Sequence, residues 1–213
     1  MLLFLVSFAQ AFAAERKLPF EKEILAFEAS DRTNPPPKGA VLFVGSSSIR
    51  LWTNLAQCFP RLTIVQRGFG GSCLPDSTAY AERIIIPYQP SKILVYAGDN
   101  DIARGDSPAE VASHFREFVQ KIQSELRKTQ IYFIAVKPSP SRWSLSPQAR
   151  EVNALVRDYC TRNKGLKFID VWEPMLNSNG QPEPSLFRAD NLHMNGKGYE
   201  LWTKIIGAAL KDG

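Results

Sequence analysis

Five short apolar runs recur along the chain, and turn-forming residues separate them from what precedes and follows. The runs are rich in valine, isoleucine and phenylalanine and do not alternate with polar residues. This pattern is typical of strands that are buried on both faces of a parallel sheet. We predict strands at residues 40–44, 62–65, 92–97, 131–136 and 166–171.

Helical patterns lie between these runs. The clearest covers residues 107–128, where Ser107 is a predicted N-cap, Pro108 takes the first helical position and Glu110 brings negative charge to the first turn. Apolar residues then recur at helical spacing, and His114, beside that stripe, is interpreted as structural or solvated. Further helices are predicted at 21–30, 147–162 and 195–210.

Strands that alternate with helices predict one α/β domain with a parallel sheet and right-handed crossovers. In such sheets, ligands bind beyond the C-terminal ends of the strands. Four notable segments fall at or beyond the ends of predicted strands, at residues 45–49, 67–72, 98–101 and 190–193. We therefore expect these segments to converge on one edge of the sheet, with two Pro/Ser-rich loops at 137–147 and 177–185.

Composition supports one globular domain. With 213 residues, of which 44% are hydrophobic, the chain can bury a single sizeable core. The net charge of +5 is spread along the chain without a dense basic block or a nucleic-acid motif, so we expect no nucleic-acid partner. The oligomeric state is left open by the sequence.

The first fourteen residues carry no charged side chain and resemble a signal peptide, with Ala11-Phe12-Ala13 as a small-x-small cleavage site. This stretch is short of the roughly 20 apolar residues that span a bilayer. We therefore predict export to the periplasm or the exterior without stable membrane insertion; the alternative is a buried N-terminal helix of a cytoplasmic protein. Residues 15–39 are assigned to an N-terminal helix and Pro-rich linker, and 40–213 to the main domain.

The candidate chemistry begins with Asp190 and His193. His193 is one of two histidines, and an aspartate three residues earlier can reach and orient its ring. Ser47 follows the first predicted strand, where the chain turns into a helix and a hydroxyl is exposed. A hydroxyl, an imidazole base and an orienting carboxylate are what a serine hydrolase requires.

Two further residues could stabilise an oxyanion. Gly71 follows Gly70 in a loop that a ligand can approach closely, and Asn100 carries an amide that can donate to a developing negative charge. Each feature also has a simpler explanation. Asp190 could cap a helix, the small residues could only form turns, and Asn100 could cap its own turn.

Taken in order, the four segments resemble those of the SGNH hydrolases, also called GDSL esterases/lipases. Residues 43–49 are similar to the nucleophile block, 66–72 to the glycine block, 98–101 to the Gly-x-Asn-Asp block, and 190–193, followed by Asn195, Gly198 and Tyr199, to the last block. One departure is that Ser46 stands where the family usually has aspartate before the nucleophile.

The resemblance implies a three-layer α/β/α sandwich of the flavodoxin-like type with a five-stranded parallel sheet. It also implies a serine esterase that hydrolyses esters or thioesters without a metal or other cofactor. Ser47 would be the nucleophile, His193 the base and Asp190 the orienting acid. The backbone N–H groups of Ser47 and Gly71 and the Asn100 amide would form the oxyanion hole.

The substrate is expected to be a small-molecule or glycan ester, and the absence of a long apolar lid in the sequence favours short acyl groups. Candidate substrate-binding residues flank the four blocks: Leu74, Ile102, Trp143, Leu192 and Met194. Trp143 could stack on a sugar, cover an acyl chain or only pack its loop onto the domain.

Three rival functions are weaker. An ordinary α/β-hydrolase needs Gly-x-Ser-x-Gly, and here Ile49 takes the last position. A non-catalytic phosphate- or flavin-binding module would leave Asp190, His193 and Asn100 without a task. A degenerate family member that acts only as a glycan-binding or scaffold protein is disfavoured because all five expected site residues are present.

Cys58, Cys73 and Cys160 form no C-x-x-C pair and predict no metal site. Export would permit a disulfide, for which Cys58 and Cys73 are nearest in sequence, and free buried thiols are the alternative.

Overall fold

A computed structural model describes residues 19–211 of the chain. Five strands form one sheet in the order β2-β1-β3-β4-β5, and every pairing is parallel. This order and the helices on both faces confirm the predicted α/β fold of the flavodoxin-like type. The strands are β1 (Val41–Gly45), β2 (Ile64–Gly68), β3 (Lys92–Tyr96), β4 (Gln130–Ile134) and β5 (Leu166–Ile169).

Among the described residues, long helices cover the two faces of the sheet, and short helices lie in the connections between strands and long helices. The α-helices are α1 (Glu21–Thr33), α2 (Ser47–Arg50), α3 (Leu55–Cys58), α4 (Leu74–Ala79), α5 (Ala81–Ile84), α6 (Asp99–Arg104), α7 (Pro108–Glu125), α8 (Ser146–Arg162) and α9 (Gly196–Lys211). Short 3₁₀ helices lie at Ile86–Tyr88, Pro140–Leu145, Glu173–Met175 and Pro184–Leu186.

The central strands β1, β3 and β4 bury side chains on both faces, because successive side chains point to opposite sides of the sheet, whereas the edge strands β2 and β5 are partly exposed. Leu42 and Val44 pack into a core with α1, α4, α5, α7 and α8. Val41 and Phe43 pack into a second core with α2, α3 and α9. The three layers explain why the strands read as continuous apolar runs rather than alternating ones.

The order of the strands places one pair of loops at the centre of the sheet. After β1 the chain moves to β2 on one side and then returns to β3 on the other side of β1. The segments that follow β1 and β3 therefore run to opposite faces of the sheet. In open α/β sheets, ligands bind at the C-terminal ends of two such neighbouring strands. Ser47 lies just beyond β1, and Asn100 lies just beyond β3.

The N-terminal helix α1 packs directly on the domain. Ile24 is fully buried in the core, and Arg83 forms ion pairs with Glu21 and Glu28 of α1. The helix is one turn longer than predicted and ends at Thr33, before the proline run. The predicted signal peptide at 1–14 lies outside the described residues, and export stays a prediction.

Several boundaries differ from the sequence prediction. β2 begins two residues later and continues through Gln66 and Arg67, polar residues that an apolar run does not include. The predicted loop at 137–147 contains a 3₁₀ helix, and α7 ends three residues before the predicted boundary.

All three cysteines are free thiols, so the disulfide alternative is not formed in this structure. Burial raises the pKa of Cys160 to about 12. No helix among the described residues has the length and apolarity needed to cross a bilayer.

Candidate active site

Ser47 begins helix α2 immediately after β1. Gly45 has a φ of +131°, and a Cβ there would lie 1.9 Å from the carbonyl oxygen of Tyr96, so only glycine fits at this position. Ser46 is the N-cap residue, and its carbonyl accepts from the N–H groups of Ile49 and Arg50. The turn therefore presents Ser47 at the C-terminal end of β1, where its side chain is half-buried.

The loop before α9 brings Asp190 and His193 to this serine, although 146 residues separate Ser47 from His193. The Nδ1 atom of His193 lies 2.7 Å from Asp190 Oδ2, and its Nε2 atom lies 3.0 Å from Ser47 Oγ. The side chain of His193 is 24% exposed and that of Asp190 is 47% exposed. The three side chains thus form one hydrogen-bonded chain that opens to solvent.

The environment of Asp190 fixes which atoms carry protons. A hydrogen bond from the His193 ring holds the pKa of Asp190 well below its usual value, and the backbone N–H groups of His193 and Leu192 add to this effect. An ionised carboxylate only accepts, so Nδ1 must carry the ring proton. When the ring is neutral, Nε2 is an acceptor, and the Ser47 hydroxyl donates to it.

The three donors predicted to form an oxyanion hole each have an N–H that no described residue accepts. Among the hydrogen bonds of residues 19–211, none uses the N–H of Ser47 or the N–H of Gly71. Gly71 has a φ of +85°, and a Cβ there would meet nothing within 4 Å, so the loop faces open space. Asn100 Nδ2 donates to Ser72 O at 3.0 Å, which connects α6 to the glycine loop. The second N–H of Nδ2 donates to no described residue.

A buried charged network supports Asn100 from the other side. Arg142 Nη2 donates to Asn100 Oδ1 at 3.0 Å, and Arg142 Nη1 lies 3.4 Å from Asp99 Oδ2. Lys137 and Tyr96 also contact Asp99, at 3.2 Å each. The sequence prediction missed this network, because nothing in the 137–147 loop pattern points to contacts with the segment after β3.

The last block is anchored to helix α2, which Ser47 begins. The Tyr199 hydroxyl donates to Ser48 O at 2.9 Å, and burial raises its pKa above the usual value. Ser46, which stands where the family usually has aspartate, is fully buried, and its hydroxyl has no hydrogen-bond partner among the described residues. The charge that an aspartate would bring beside Ser47 is therefore absent at this position.

The five candidate substrate-binding residues fall into different settings. Leu74 and Met194 are fully buried, so their side chains offer no surface to a ligand without movement. Leu192 is half-buried beside His193. Ile102 and Trp143 line a cavity of about 20 Å³, next to the hydrogen bond between Arg142 and Asn100, and Trp143 also stacks on Trp172.

One group of potential metal ligands occurs among residues 19–211. Asp101, Asp106 and His114 have ligand atoms within 4.8 Å of one another. Both carboxylate oxygens of Asp101 already accept backbone hydrogen bonds, from Leu74 and Gly98, at 2.9 Å each. These bonds join α4 to the start of α6, so a structural role accounts for the buried carboxylate.

Comparison with known families agrees with this arrangement of segments. The profile of the GDSL-like lipase/acylhydrolase family matches residues 42–201, which is more than half of the chain and includes all four blocks. The chain belongs to this family. Membership implies a hydrolase and confirms the family resemblance drawn from the sequence.

Solved structures with a similar fold come from several bacteria. A Streptococcus pneumonia protein, provisionally assigned as a platelet activating factor, has a TM-score of 0.79 at 19% identity and covers 89% of this chain and 92% of its own. A GDSL-like lipase from Bacteroides thetaiotaomicron has a TM-score of 0.75 at 18% identity, with 89% and 97% covered. A variant of an acetyl-xylooligosaccharide esterase from Geobacillus Stearmophilus has a TM-score of 0.63 at 15% identity, with 80% and 94% covered.

At these identities the similarity establishes the fold alone. No curated protein sequence matches the chain.

Proposed function

We propose that this GDSL-family chain is a metal-independent serine esterase that cleaves short acyl esters through an acyl-enzyme. The observation that carries the proposal is the continuous hydrogen-bonded chain from Asp190 through His193 to Ser47, with distances of 2.7 Å and 3.0 Å. In this proposal Ser47 is the nucleophile, His193 the general base and Asp190 the group that fixes the ring tautomer.

Acylation follows from the protonation states of these groups. Ser47 Oγ attacks the ester carbonyl carbon while its proton moves to His193 Nε2. The carbonyl oxygen becomes an oxyanion, which accepts from the N–H groups of Ser47 and Gly71 and from Asn100 Nδ2. The carbon–oxygen bond to the alcohol then breaks, and His193 returns the proton to the departing alkoxide oxygen.

Deacylation repeats the sequence with water. His193 Nε2 takes a proton from a water molecule as its oxygen attacks the acyl-enzyme carbonyl. The same three donors stabilise the second oxyanion. Collapse releases the carboxylic acid, and His193 returns its proton to Ser47 Oγ. The reaction thus consumes one ester and one water and needs no group beyond this chain's own residues.

The surroundings of the proposed nucleophile support short acyl groups. Leu74 and Met194, the apolar side chains beside the glycine block and the histidine, are fully buried and so offer no exposed apolar surface to a long acyl chain. The side chains of His193 and Asp190 are 24% and 47% exposed, and we propose that the alcohol part of the ester lies on this open side. We therefore propose acetyl or similarly short esters of small alcohols or glycans as substrates. The esterase from Geobacillus Stearmophilus, which acts on acetyl-xylooligosaccharides, is a structural neighbour with this kind of substrate.

A panel of p-nitrophenyl acetate, butyrate and octanoate, together with acetylated xylan and acetylated glucosamine, tests the proposal. We expect kcat/KM to fall as the acyl chain lengthens and Ser47→Ala to abolish hydrolysis of every ester in the panel. Failure of the wild-type protein to hydrolyse any of them, with tight binding of a phosphate, flavin or glycan instead, would favour a non-catalytic module.

A further inference from the structure

We propose that Arg142 is a positioning residue for the proposed esterase reaction, because its guanidinium holds the Asn100 amide with Nδ2 directed at the oxyanion. The inference rests on the proposed function, since it assigns a role in that same site. Arg142 lies in the 3₁₀ helix Pro140–Leu145, which follows β4. Its guanidinium contacts Asn100, in the segment that follows β3.

The two ends of the Asn100 amide have different partners. Arg142 Nη2 lies 3.0 Å from Oδ1, and Nδ2 lies 3.0 Å from the carbonyl oxygen of Ser72. Arginine has donors and no acceptor, so only the oxygen of the amide can face it. The carbonyl of Ser72 is an acceptor, so only the nitrogen can face it. The amide is therefore held in one of its two orientations.

The held orientation is the one that an oxyanion requires. An amide nitrogen has two hydrogens, and the bond to Ser72 uses one of them, so the second N–H of Asn100 is available to a ligand. A flipped amide would turn its oxygen toward the oxyanion and its NH₂ toward the guanidinium of Arg142. Both contacts would be repulsive, and so would the contact of the amide oxygen with Ser72 O, so Arg142 and Ser72 together exclude the orientation that disfavours catalysis.

Arg142 is itself held by a buried carboxylate. Asp99 Oδ2 lies 3.4 Å from Arg142 Nη1 and 3.2 Å from Lys137 Nζ, and the side chain of Lys137 is 1% exposed. Burial alone would raise the pKa of Asp99, but the two cations outweigh it and keep that pKa below its usual value. Removing one cation from such a pair leaves an uncompensated buried charge, so this arrangement resists rearrangement.

Two basic side chains, Lys137 and Arg142, contact the one carboxylate of Asp99. Burial lowers the pKa of Lys137, and the carboxylate of Asp99 opposes this effect. Asp190 is the other carboxylate that acts on Lys137, and it also belongs to the hydrogen-bonded chain with His193. A guanidinium on Oδ1 also polarises the amide and strengthens donation from Nδ2. This effect grows as charge develops on the substrate oxygen, so it acts on the transition state more than on the bound ester.

The segment that carries Arg142 also touches the histidine loop. The N–H of Ser141 donates to the carbonyl of Asn191 at 3.0 Å, between Asp190 and His193. The 3₁₀ helix Pro140–Leu145 therefore contacts both the oxyanion donor and the loop of the base. A general collapse of this segment would disturb both groups, so a test must separate positioning of Asn100 from structural damage.

A double-mutant cycle makes that separation. Arg142→Met should lower kcat about 10- to 100-fold with KM changed less, which is the scale of losing a hydrogen bond to a charged group. In an Asn100→Ala background the same change should alter kcat by less than about threefold, because the amide that Arg142 orients is gone. Arg142→Lys keeps the charge but cannot bridge two acceptors, and it should fall between Met and wild type.

Arg150→Met is the matched control, since Arg150 is an exposed arginine of α8 that pairs with Glu173. It should leave kcat and KM unchanged. If Arg142→Met does not fold, the cycle is judged with Arg142→Lys. A loss of the same size with and without Asn100, or a folded Arg142→Met with kcat within about threefold of wild type, overturns the inference. Either result leaves the esterase proposal intact, whereas an inactive wild-type protein defeats the esterase proposal itself.

Discussion

Replacing Asp190 with asparagine should disable the site through the wrong ring tautomer rather than through lost structure. Asp190 Oδ1 accepts from the backbone N–H groups of Leu192 and His193, at 2.9 Å each. In Asp190→Asn these two donors should keep the amide oxygen in that position. The amide nitrogen then faces His193 Nδ1 and donates to it, so the ring proton moves to Nε2. A protonated Nε2 cannot accept the proton of Ser47.

The expected loss is large. In serine hydrolases, an asparagine in place of the triad acid lowers kcat about 10⁴-fold, or about 5.4 kcal/mol. Because the Asp190 side chain is 47% exposed, water can compensate part of the loss, and we expect 10³- to 10⁴-fold, or about 4–5.4 kcal/mol. Asp190→Ala has no amide to force the tautomer, so it should be less harmful than Asp190→Asn.

The assay is steady-state hydrolysis of p-nitrophenyl acetate at neutral pH, with circular dichroism and thermal denaturation as checks of the fold. Asp170→Asn is the matched control, because Asp170 is also exposed and also accepts a backbone N–H, from Trp172. That variant should retain wild-type kcat. If Asp190→Asn keeps a tenth or more of the wild-type kcat, the tautomer argument is refuted.

The same carboxylate makes a pH-dependent contribution to stability. Hydrogen bonds hold the pKa of Asp190 below its unfolded value of about 3.9, so the contribution is fully present above that pH. It is lost as the pH falls through the folded-state pKa. The difference in thermal stability between wild type and Asp190→Asn should therefore shrink in acid.

Three further predictions follow from the site. Asn100→Ala should lower kcat about 10²- to 10³-fold with less effect on KM, and a kcat within about threefold of wild type would reduce Asn100 to a turn residue. Activity should fall in acid, because protonated His193 cannot accept the Ser47 proton, so kcat/KM should show one acid limb that His193→Ala removes. EDTA should leave kcat/KM unchanged, and a loss that a divalent ion restores would point to a metallo-hydrolase.

Much of the fold could be predicted because burial on both faces leaves a simple signal. The runs at 92–97 and 166–171 begin where β3 and β5 begin. Prediction failed where other forces set the boundary. β2 is an edge strand that carries Gln66 and Arg67, whose side chains bond to Ile49 O and Asp31. β4 ends early because the N–H of Val136 donates to Asn153 Oδ1 instead of continuing the sheet.

The candidate site was predictable only in part. Asp190 and His193 are three residues apart and can be paired from the sequence, and the order of the blocks suggests Ser47. The approach of Arg142 to Asn100 spans 42 residues and depends on how two loops pack, so no local pattern reports it. The burial of Leu74 and Met194 likewise depends on tertiary packing, since each lies next to a block that opens to solvent.

The most direct test of the account is to identify the residue that reacts with a fluorophosphonate. Intact-mass and peptide mass spectrometry should find one adduct per chain, on Ser47, because its hydroxyl lies 3.0 Å from His193 Nε2. Ser47→Ala should remain folded and unlabelled. An adduct on Ser46 or Ser48, or no adduct on a folded wild-type protein, would contradict the assignment of Ser47 as the nucleophile.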